Sequence, residues 1–317
     1  MKVLISGGAG LVGRYIAEEL LSAGYKVAIG GRSPPSSGFF SHPVSFVPMS
    51  LDPAENQSRA FDDAYLFVHA AFNHVAGKYR GGEGDDPDGF RRLNLDGTVK
   101  LFETARKAGI RRCIFLSSRA VYGDGIAKEP LTEATKSVPS TLYGEVKRDT
   151  EHAVFSLSAP GFTTASLRAT GVYGELQPNK WDELFDDYLN GKPVPSRAGT
   201  EVHGRDLGRA VRLLLETEAG RIDGEAFNVS DILTDTHEIL SHLQSATGCP
   251  HPLPQPAELG AVSVMDTAKI RALGWQAGGK PLLKQTIETL AKSGYPKAGI
   301  SASASFRPNR APSIPHP

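Results

Sequence analysis

A glycine-rich turn near the start constrains the fold of this chain more than any other feature. The run VLISGGAGLVGRYI places Gly7, Gly10 and Gly13 in G-x-x-G-x-x-G spacing, after an apolar stretch and before a helical pattern. Glycines at such positions let the backbone approach a pyrophosphate, while the free amides and dipole of the following helix attract its negative charge. The turn predicts a dinucleotide-binding βαβ unit; a plain strand-to-helix turn is the alternative.

Short apolar runs alternate with longer amphipathic stretches through the first half of the chain. This alternation is typical of βαβ units around a buried parallel sheet. One helix is predicted after the glycine turn, with Gly24 as its C-terminal cap, and another at Leu93–Ala108. The predicted fold class is α/β, a Rossmann-type doubly wound parallel sheet with a smaller C-terminal substrate-binding lobe. The predicted strands are Lys2–Ser6, Lys26–Ile29, Val44–Val47, Tyr65–His69 and Arg112–Ser117.

The rhythm of the pattern divides the chain into three predicted segments. Residues 1–166 form the dinucleotide-binding Rossmann domain, and residues 167–298 form the smaller substrate-binding lobe, interleaved with the first. Residues 299–317 are rich in Ser, Ala and Pro and cannot bury enough apolar surface to offset chain entropy, which predicts a disordered tail. A Gly- and Asp-rich loop between Asn73 and Phe90 has the length of a lid or binding segment.

Composition and charge narrow the class of partner. The chain has 35 basic and 35 acidic side chains, so it offers no long-range attraction to nucleic acid or an anionic membrane. We therefore expect a small-molecule substrate. The apolar run at the start is too short for a signal peptide or a membrane span, and two cysteines fit a reducing compartment, so we expect a cytoplasmic location. No Cys or His cluster has metal-ligand spacing.

The segment after the second strand bears on which dinucleotide is bound. An NAD site of this kind places an acidic residue there for the adenosine ribose, but no Asp or Glu occurs between Leu20 and Leu51. Arg32 and Ser33 follow the strand instead, and a guanidinium with a hydroxyl suits the 2′-phosphate of NADP. We expect NADP(H) to be favoured, with NAD(H) possible; an arginine in a solvated loop is the alternative.

A second group of residues has the types needed for hydride and proton transfer. Tyr143 and Lys147 form Y-x-x-x-K, which puts both side chains on one helix face, and Ser117 and Ser118 end a predicted strand. With the glycine turn, these residues resemble the extended short-chain dehydrogenase/reductase family, in its NAD-dependent epimerase/dehydratase branch. The resemblance covers residues 1–298 and includes VHAA at 68–71, NLDGT at 94–98, LRATGVYG at 167–174, FNVS at 227–230 and LGW at 273–275.

The resemblance implies roles for the matched residues. Tyr143 carries the proton, and Lys147 lowers the phenol pKa from about 10 and binds the nicotinamide ribose. Ser118 stabilises charge on the reacting oxygen, and Asn94 lines the cofactor side and positions the lysine. His69, on an apolar strand, is expected to be a packed residue. The other matched cofactor contacts are Leu11 and Val12 at the pyrophosphate, Leu51 at the adenine, Ala70, Ala71 and Phe72 after the fourth strand, and Val172 at the nicotinamide.

The chain departs from the family pattern where a substrate would bind. Ser118 is followed by Arg119 and Ala120 instead of the Asp-Glu pair that dehydratases use, which leaves epimerases and reductases. Residues 199–201 lack the family's arginine and aromatic, and Gly171 replaces its asparagine, so the diphosphate anchor is expected to be missing. Arg119 and His74 are candidate contacts to an acidic substrate, with Ser118, Tyr143 and Gly171 beside them; Arg119 in a structural ion pair is the alternative.

These observations favour one activity over two others. The favoured function is an NAD(P)-dependent epimerase-like oxidoreductase that acts on a sugar, a sugar acid or a related hydroxy or carbonyl compound. An NADPH-dependent carbonyl reductase with net turnover is the first alternative, and a non-catalytic dinucleotide sensor is the second. By the resemblance, we expect a homodimer that pairs through the helices near Leu93–Ala108 and Tyr143–Leu157.

Overall fold

Seven strands form one parallel sheet in the computed structural model, which describes residues 1–75, 82–125 and 129–293. The strand order is β3-β2-β1-β4-β5-β6-β9, and every neighbouring pair is parallel. The five predicted strands are confirmed, with ends that differ by at most two residues. The strands are β1 (Lys2–Ser6), β2 (Lys26–Gly31), β3 (Ser45–Pro48), β4 (Leu66–His69), β5 (Arg112–Ser118), β6 (Thr163–Ala169) and β9 (Glu225–Val229).

Helices cover both faces of this sheet, because successive strand residues point to opposite sides. Val3 and Ile5 of β1 join the core beneath α1 (Leu11–Ser22) and α6 (Gly204–Glu216). Leu4, between them, joins the core on the other face, which includes residues of α3 (Gly97–Lys107) and α4 (Leu142–Ser156). The doubly wound prediction is therefore confirmed. The chain reverses strand order at β1 and β4, which places a ligand-binding crevice at the glycine turn.

The segment before α3 is helical over a longer stretch than the sequence predicted. A loop was expected as far as Phe90 and a helix from Leu93, but helical structure begins at α2 (Pro87–Arg91) and continues through a π-helical turn at residues 92–96. The reason is a local cap: the Asp86 carboxylate accepts a hydrogen bond from Gly89 N at 2.9 Å, and Pro87 fits the first helical position. Residues 76–81 of the predicted lid lie outside the described residues.

The second half of the chain builds a smaller sheet and its own core. Strands β7 (Gly171–Tyr173), β8 (Ala198–His203) and β10 (Ile232–Asp235) lie in the order β10-β8-β7. The core beside them includes buried Tyr173, Trp181 and Phe185. The predicted boundary at residue 166 falls within β6, and the division into domains stays a prediction. The helices here are α5 (Asp182–Leu189), α7 (Thr236–Thr247), α8 (Ala268–Arg271) and α9 (Gly279–Lys292).

The predicted tail at 299–317 lies outside the described residues. In the described part of the chain, no helix combines the length and apolar character needed to cross a membrane.

Candidate active site

The glycine turn has glycines because neighbouring backbone leaves no room for side chains. Gly7 has a φ of 69°, a left-handed conformation that favours glycine, and its N–H donates to Gly30 O at 2.8 Å. A Cβ on Gly7 would lie 2.7 Å from Ala71 Cα, and one on Gly13 would overlap the Gly7 carbonyl oxygen. The turn is therefore drawn tightly between β1, β2 and β4, and its outer surface stays open to a ligand.

The start of α1 offers uncapped amides beside this turn. Gly10 is the N-cap residue, no side chain caps the first turn, and no acidic residue lies within it. The first amides of a helix lack intrahelical partners, so those of Leu11, Val12 and Gly13 suit an anion. The cradle and the uncapped helix fit the pyrophosphate of a dinucleotide.

The two residues predicted to bind the 2′-phosphate of NADP lie after the end of β2. Arg32 and Ser33 follow the strand and are both exposed. Within the described ranges, no ion pair or hydrogen bond engages the Arg32 guanidinium. The loop that follows is docked on α1, because Arg14 Nη2 donates to Phe39 O at 2.7 Å. Leu51, predicted near the adenine, lies after β3 with its carbonyl packed against Gly97.

A buried hydrogen-bond chain fixes the turn after β4. Thr98 Oγ1 donates to Asn94 O at 2.6 Å, so it accepts from His69 Nε2 at 2.9 Å. His69 Nδ1 then accepts from Ser6 Oγ at 2.7 Å, and Ser6 Oγ accepts from Ala71 N at 3.4 Å. Burial, and secondarily Lys147, lowers the pKa of His69 to about 3. His69 is a neutral packed residue, as predicted, and it orders the ends of β1 and β4.

Asn94 holds the next part of the same turn. Its Oδ1 accepts from Asn73 N at 2.6 Å, and its Nδ2 donates to Asn73 O at 2.8 Å. Asn94 lies in the π-helical turn, which directs its amide toward this loop. These two hydrogen bonds to Asn73 fix the backbone that follows Ala70, Ala71 and Phe72. Asn94 was expected to line the cofactor side and to help position the lysine. These contacts place its amide on the loop, and its role toward the lysine stays a prediction.

Ser118, Tyr143 and Lys147 are gathered at the C-terminal end of β5. Ser118 ends the strand, and its Oγ accepts from Ala120 N at 3.2 Å. Tyr143 lies in the first turn of α4, where Gly144 packs directly on the Ala120 carbonyl and admits no side chain. Lys147, one turn later, donates from Nζ to Leu116 O at 2.6 Å. The sheet edge and the helix therefore bring the three predicted catalytic residues together.

The electrostatic setting of Lys147 is unusual for a lysine. Its Nζ is buried and lies 4.3 Å from the centre of the Phe72 ring and 4.7 Å from that of Phe115. Burial lowers the pKa of Lys147 to about 7, against an opposing contribution from Glu151. The Phe72 ring also contacts Tyr143 edge-on, with centroids 5.1 Å apart. A lysine with this pKa changes its charge near neutral pH. The positive electrostatic field that Lys147 exerts on Tyr143 therefore depends on the pH and on nearby charged groups.

The predicted substrate residues occupy different surroundings. Arg119 Nε and Nη2 donate to Ser263 O at 3.2 and 3.0 Å, so a backbone carbonyl of the C-terminal half holds the guanidinium. His74 Nδ1 lies 3.3 Å from Phe72 O, beyond β4. Gly171 begins β7 and is followed by the buried Val172. All lie in segments that follow the C-terminal ends of strands, where open α/β sheets bind ligands.

Two ion pairs in this part of the molecule were not singled out from the sequence. Arg168 pairs with the fully buried Glu151 at 2.7 Å and donates to Tyr122 OH at 2.9 Å. Lys180 pairs with Glu201 beside Gly171. Arg168 lies in the LRATGVYG segment, and Glu151 follows Lys147 by one helical turn. Both positions could therefore have been found from the sequence. The Lys180–Glu201 pair joins residues that are 21 positions apart in the sequence. It depends on how β7 and β8 pair, and no local sequence pattern indicates it.

The fold and these residues define a class of proteins: α/β enzymes with a dinucleotide cradle and a Ser, Tyr and Lys group at the sheet edge. Residues 3–230 match the NAD dependent epimerase/dehydratase family. The chain belongs to that family, within the extended short-chain dehydrogenase/reductases, and the resemblance seen in the sequence is confirmed. It is an enzyme of the epimerase or dehydrogenase type, and its cofactor is a nicotinamide dinucleotide.

Similar proteins include both kinds of enzyme. UDP-glucose 4-epimerase of Corynebacterium glutamicum is 28% identical over 311 residues, covering 87% of this chain and 90% of the relative. Sterol-4-alpha-carboxylate 3-dehydrogenase, decarboxylating, of Mus musculus is 29% identical over 197 residues, covering 60% and 51%. The solved structure of Thermus thermophilus UDP-glucose 4-epimerase in complex with NAD matches with a TM-score of 0.76 and 25% identity, covering 92% of this chain and 99% of that one.

Proposed function

We propose that this enzyme epimerises a hydroxyl-bearing carbon of a sugar, a sugar acid or a related compound by reversible oxidation. The observation that carries the proposal is the grouping of Ser118, Tyr143 and Lys147 at the C-terminal end of β5. A nicotinamide dinucleotide held at the glycine turn of Gly7, Gly10 and Gly13 would supply the hydride acceptor for oxidation and the hydride donor for reduction of that carbon. The residues of the chain must transfer the hydroxyl proton and stabilise the negative charge that develops on the reacting oxygen.

Tyr143 takes the hydroxyl proton during oxidation and gives it back during reduction. Its phenol needs a nearby positive charge to lose a proton at neutral pH, and protonated Lys147 supplies that charge. The side chain of Ser118 donates to the reacting oxygen and stabilises the negative charge that develops there. Phe72 and Phe115 exclude water around Lys147, which strengthens its field.

Replacing Tyr143 with Phe tests this assignment. We expect turnover to fall about 1000-fold or more, because the proton carrier is lost, while dinucleotide affinity stays within about threefold. The assay follows reduced nicotinamide and product formation with a panel of aldoses, hydroxy acids and nucleotide sugars. Tyr65→Phe, at an exposed tyrosine, is the matched control. Full turnover by Tyr143→Phe would contradict the proposal.

A net carbonyl reductase that exchanges NADPH is the second candidate. It is favoured by Arg32, which is exposed after β2 in a segment without acidic residues. The two candidates differ in how the cofactor behaves. An epimerase keeps stoichiometric dinucleotide through purification, whereas a reductase consumes added NADPH in proportion to product.

We also propose a homodimer that pairs through α3 and α4, and a cytoplasmic location. The support for the location is that Cys113 and Cys249 are buried and form no disulfide. Sedimentation at several protein concentrations tests the dimer, and a monomer throughout would contradict it.

A further inference from the structure

An ion pair in the smaller sheet fills the space beside Gly171. Gly171 of β7 is the register partner of Glu201 of β8. A Cβ built on Gly171 would lie 2.5 Å from a Glu201 carboxylate oxygen. Lys180 Nζ donates to both carboxylate oxygens, at 2.6 and 2.5 Å. The Glu201 carboxylate therefore occupies the position that a side chain at residue 171 would take, and Lys180 holds it there.

This ion pair lies close to the catalytic group. Ala169 at the end of β6 is the register partner of Ser118, and Gly171 comes two residues later. With about 4.8 Å between strands and at most about 7.6 Å across two residues of chain, the Cα atom of Gly171 lies within roughly 12 Å of that of Ser118. The side chains of Lys180 and Glu201 are 25% and 14% exposed, so the pair is partly buried but open to a solute.

The surroundings of the pair carry negative charge. Burial raises the pKa of the Tyr173 phenol, and the carboxylates of Asp231, Asp206 and Glu201 raise it further. The Arg205 guanidinium has the opposite effect on this pKa, but it is paired with Asp206 at 3.3 Å, and the Lys180 ammonium is already engaged by Glu201. A diphosphate requires uncommitted cationic or N–H donors, because its own charge must be balanced. A carboxylate beside a diphosphate adds repulsion instead.

We propose that the Glu201–Lys180 pair is a specificity determinant that turns away a diphosphate group and accepts the hydroxyl groups of a neutral sugar or polyol portion. Each carboxylate oxygen held by Lys180 keeps a lone pair for a hydroxyl donor, and such bonds are charge-assisted. The substrate of this enzyme then carries its hydroxyls, and no nucleoside diphosphate, against β7 and β8. The reaction that this substrate undergoes rests on the proposed function. The exclusion of a diphosphate is a property of binding and can be tested without turnover.

Titration calorimetry of the holoenzyme with UDP tests the determinant without turnover. Glu201→Gln removes the negative charge and releases Lys180, and we expect UDP affinity to rise at least about tenfold. Lys180→Gln leaves the carboxylate unpaired, and we expect UDP affinity to fall or stay undetectable. A gain in UDP affinity in Glu201→Gln but not in Lys180→Gln separates a specificity determinant from an ion pair that supports only the fold.

Glu225→Gln is the matched control. It removes the carboxylate of another glutamate–lysine pair, with Lys269 at 2.6 Å, at the start of β9 in the larger sheet and at the end of that sheet away from Ser118. We expect it to leave UDP affinity unchanged. Tight UDP binding by the wild type, no gain in Glu201→Gln, or an equal gain in both variants would overturn the proposal. If Glu201→Gln gains UDP affinity as expected but the wild type oxidises no sugar, the result would contradict the proposed function alone.

Discussion

Gly13 and Gly171 both lack a side chain, for opposite reasons. At Gly13 the crowding comes from backbone, the Gly7 carbonyl, and the result is a cradle open to a ligand. At Gly171 the crowding comes from a charged side chain, Glu201, and the ligand meets that side chain. The cofactor region thus follows the requirements of a pyrophosphate that many enzymes share, whereas the substrate region is shaped by the particular side chains of this chain.

The largest effect expected from this comparison is that of Gly13→Ala. The new methyl group would overlap backbone that cannot move aside, so we expect dinucleotide affinity to fall about 100-fold. Gly171→Ala meets only the end of a flexible side chain and leaves dinucleotide affinity within about twofold. Titration with NADH and NADPH measures both variants. Gly220→Ala, where nothing lies near the new Cβ, is the neutral control.

Equal dinucleotide affinity in Gly13→Ala and Gly171→Ala would remove the distinction between the two regions.

Lys147 gives the next effect, on stability. Burial lowers its pKa from 10.5 to about 7, so the folded state binds fewer protons than the unfolded state between those values. Stability therefore rises with pH across that window, and the cost of burying the charge is fully present below pH 7. We expect cofactor-free Lys147→Met to unfold at a temperature several degrees above the wild type at pH 6.

The difference in unfolding temperature is expected to shrink at pH 9, while turnover is lost at both pH values. Thermal unfolding at both pH values measures the difference in unfolding temperature, and the assay with the substrate panel measures turnover. Lys284→Met, at an exposed lysine, provides the comparison. A Lys147→Met protein that is less stable than the wild type at pH 6 would show that the ammonium supports the fold.

Arg32→Ser gives the smallest effect. Loss of a charge-assisted bond to the 2′-phosphate should weaken NADPH binding about tenfold and leave NADH binding unchanged. Equilibrium titration with both dinucleotides measures the change, and Arg59→Ser is the control at another exposed arginine. Equal weakening of both cofactors, or none, would remove the reason to favour NADP(H).

The cofactor region could be predicted from sequence because its determinants are local. Gly7, Gly10 and Gly13 stand within a few residues of one another, and the Tyr143 and Lys147 spacing fits one helix face. The start of α2 was missed because one capping aspartate and a proline are a short signal inside a glycine-rich loop. Neither the Arg119 bond to Ser263 nor the Glu201 carboxylate beside Gly171 could be predicted, because each depends on segments far apart in sequence.

The fate of a deuterium label on the reacting carbon distinguishes hydride transfer from proton abstraction. Wild-type holoenzyme is incubated in ordinary water with a deuterated member of the substrate panel that it converts, and the product is examined by mass spectrometry. Transfer within the active site, with Tyr143 handling only the hydroxyl proton, predicts an epimerised product that keeps the deuterium on that carbon. Replacement of the deuterium by solvent hydrogen would show proton abstraction at carbon and contradict the account.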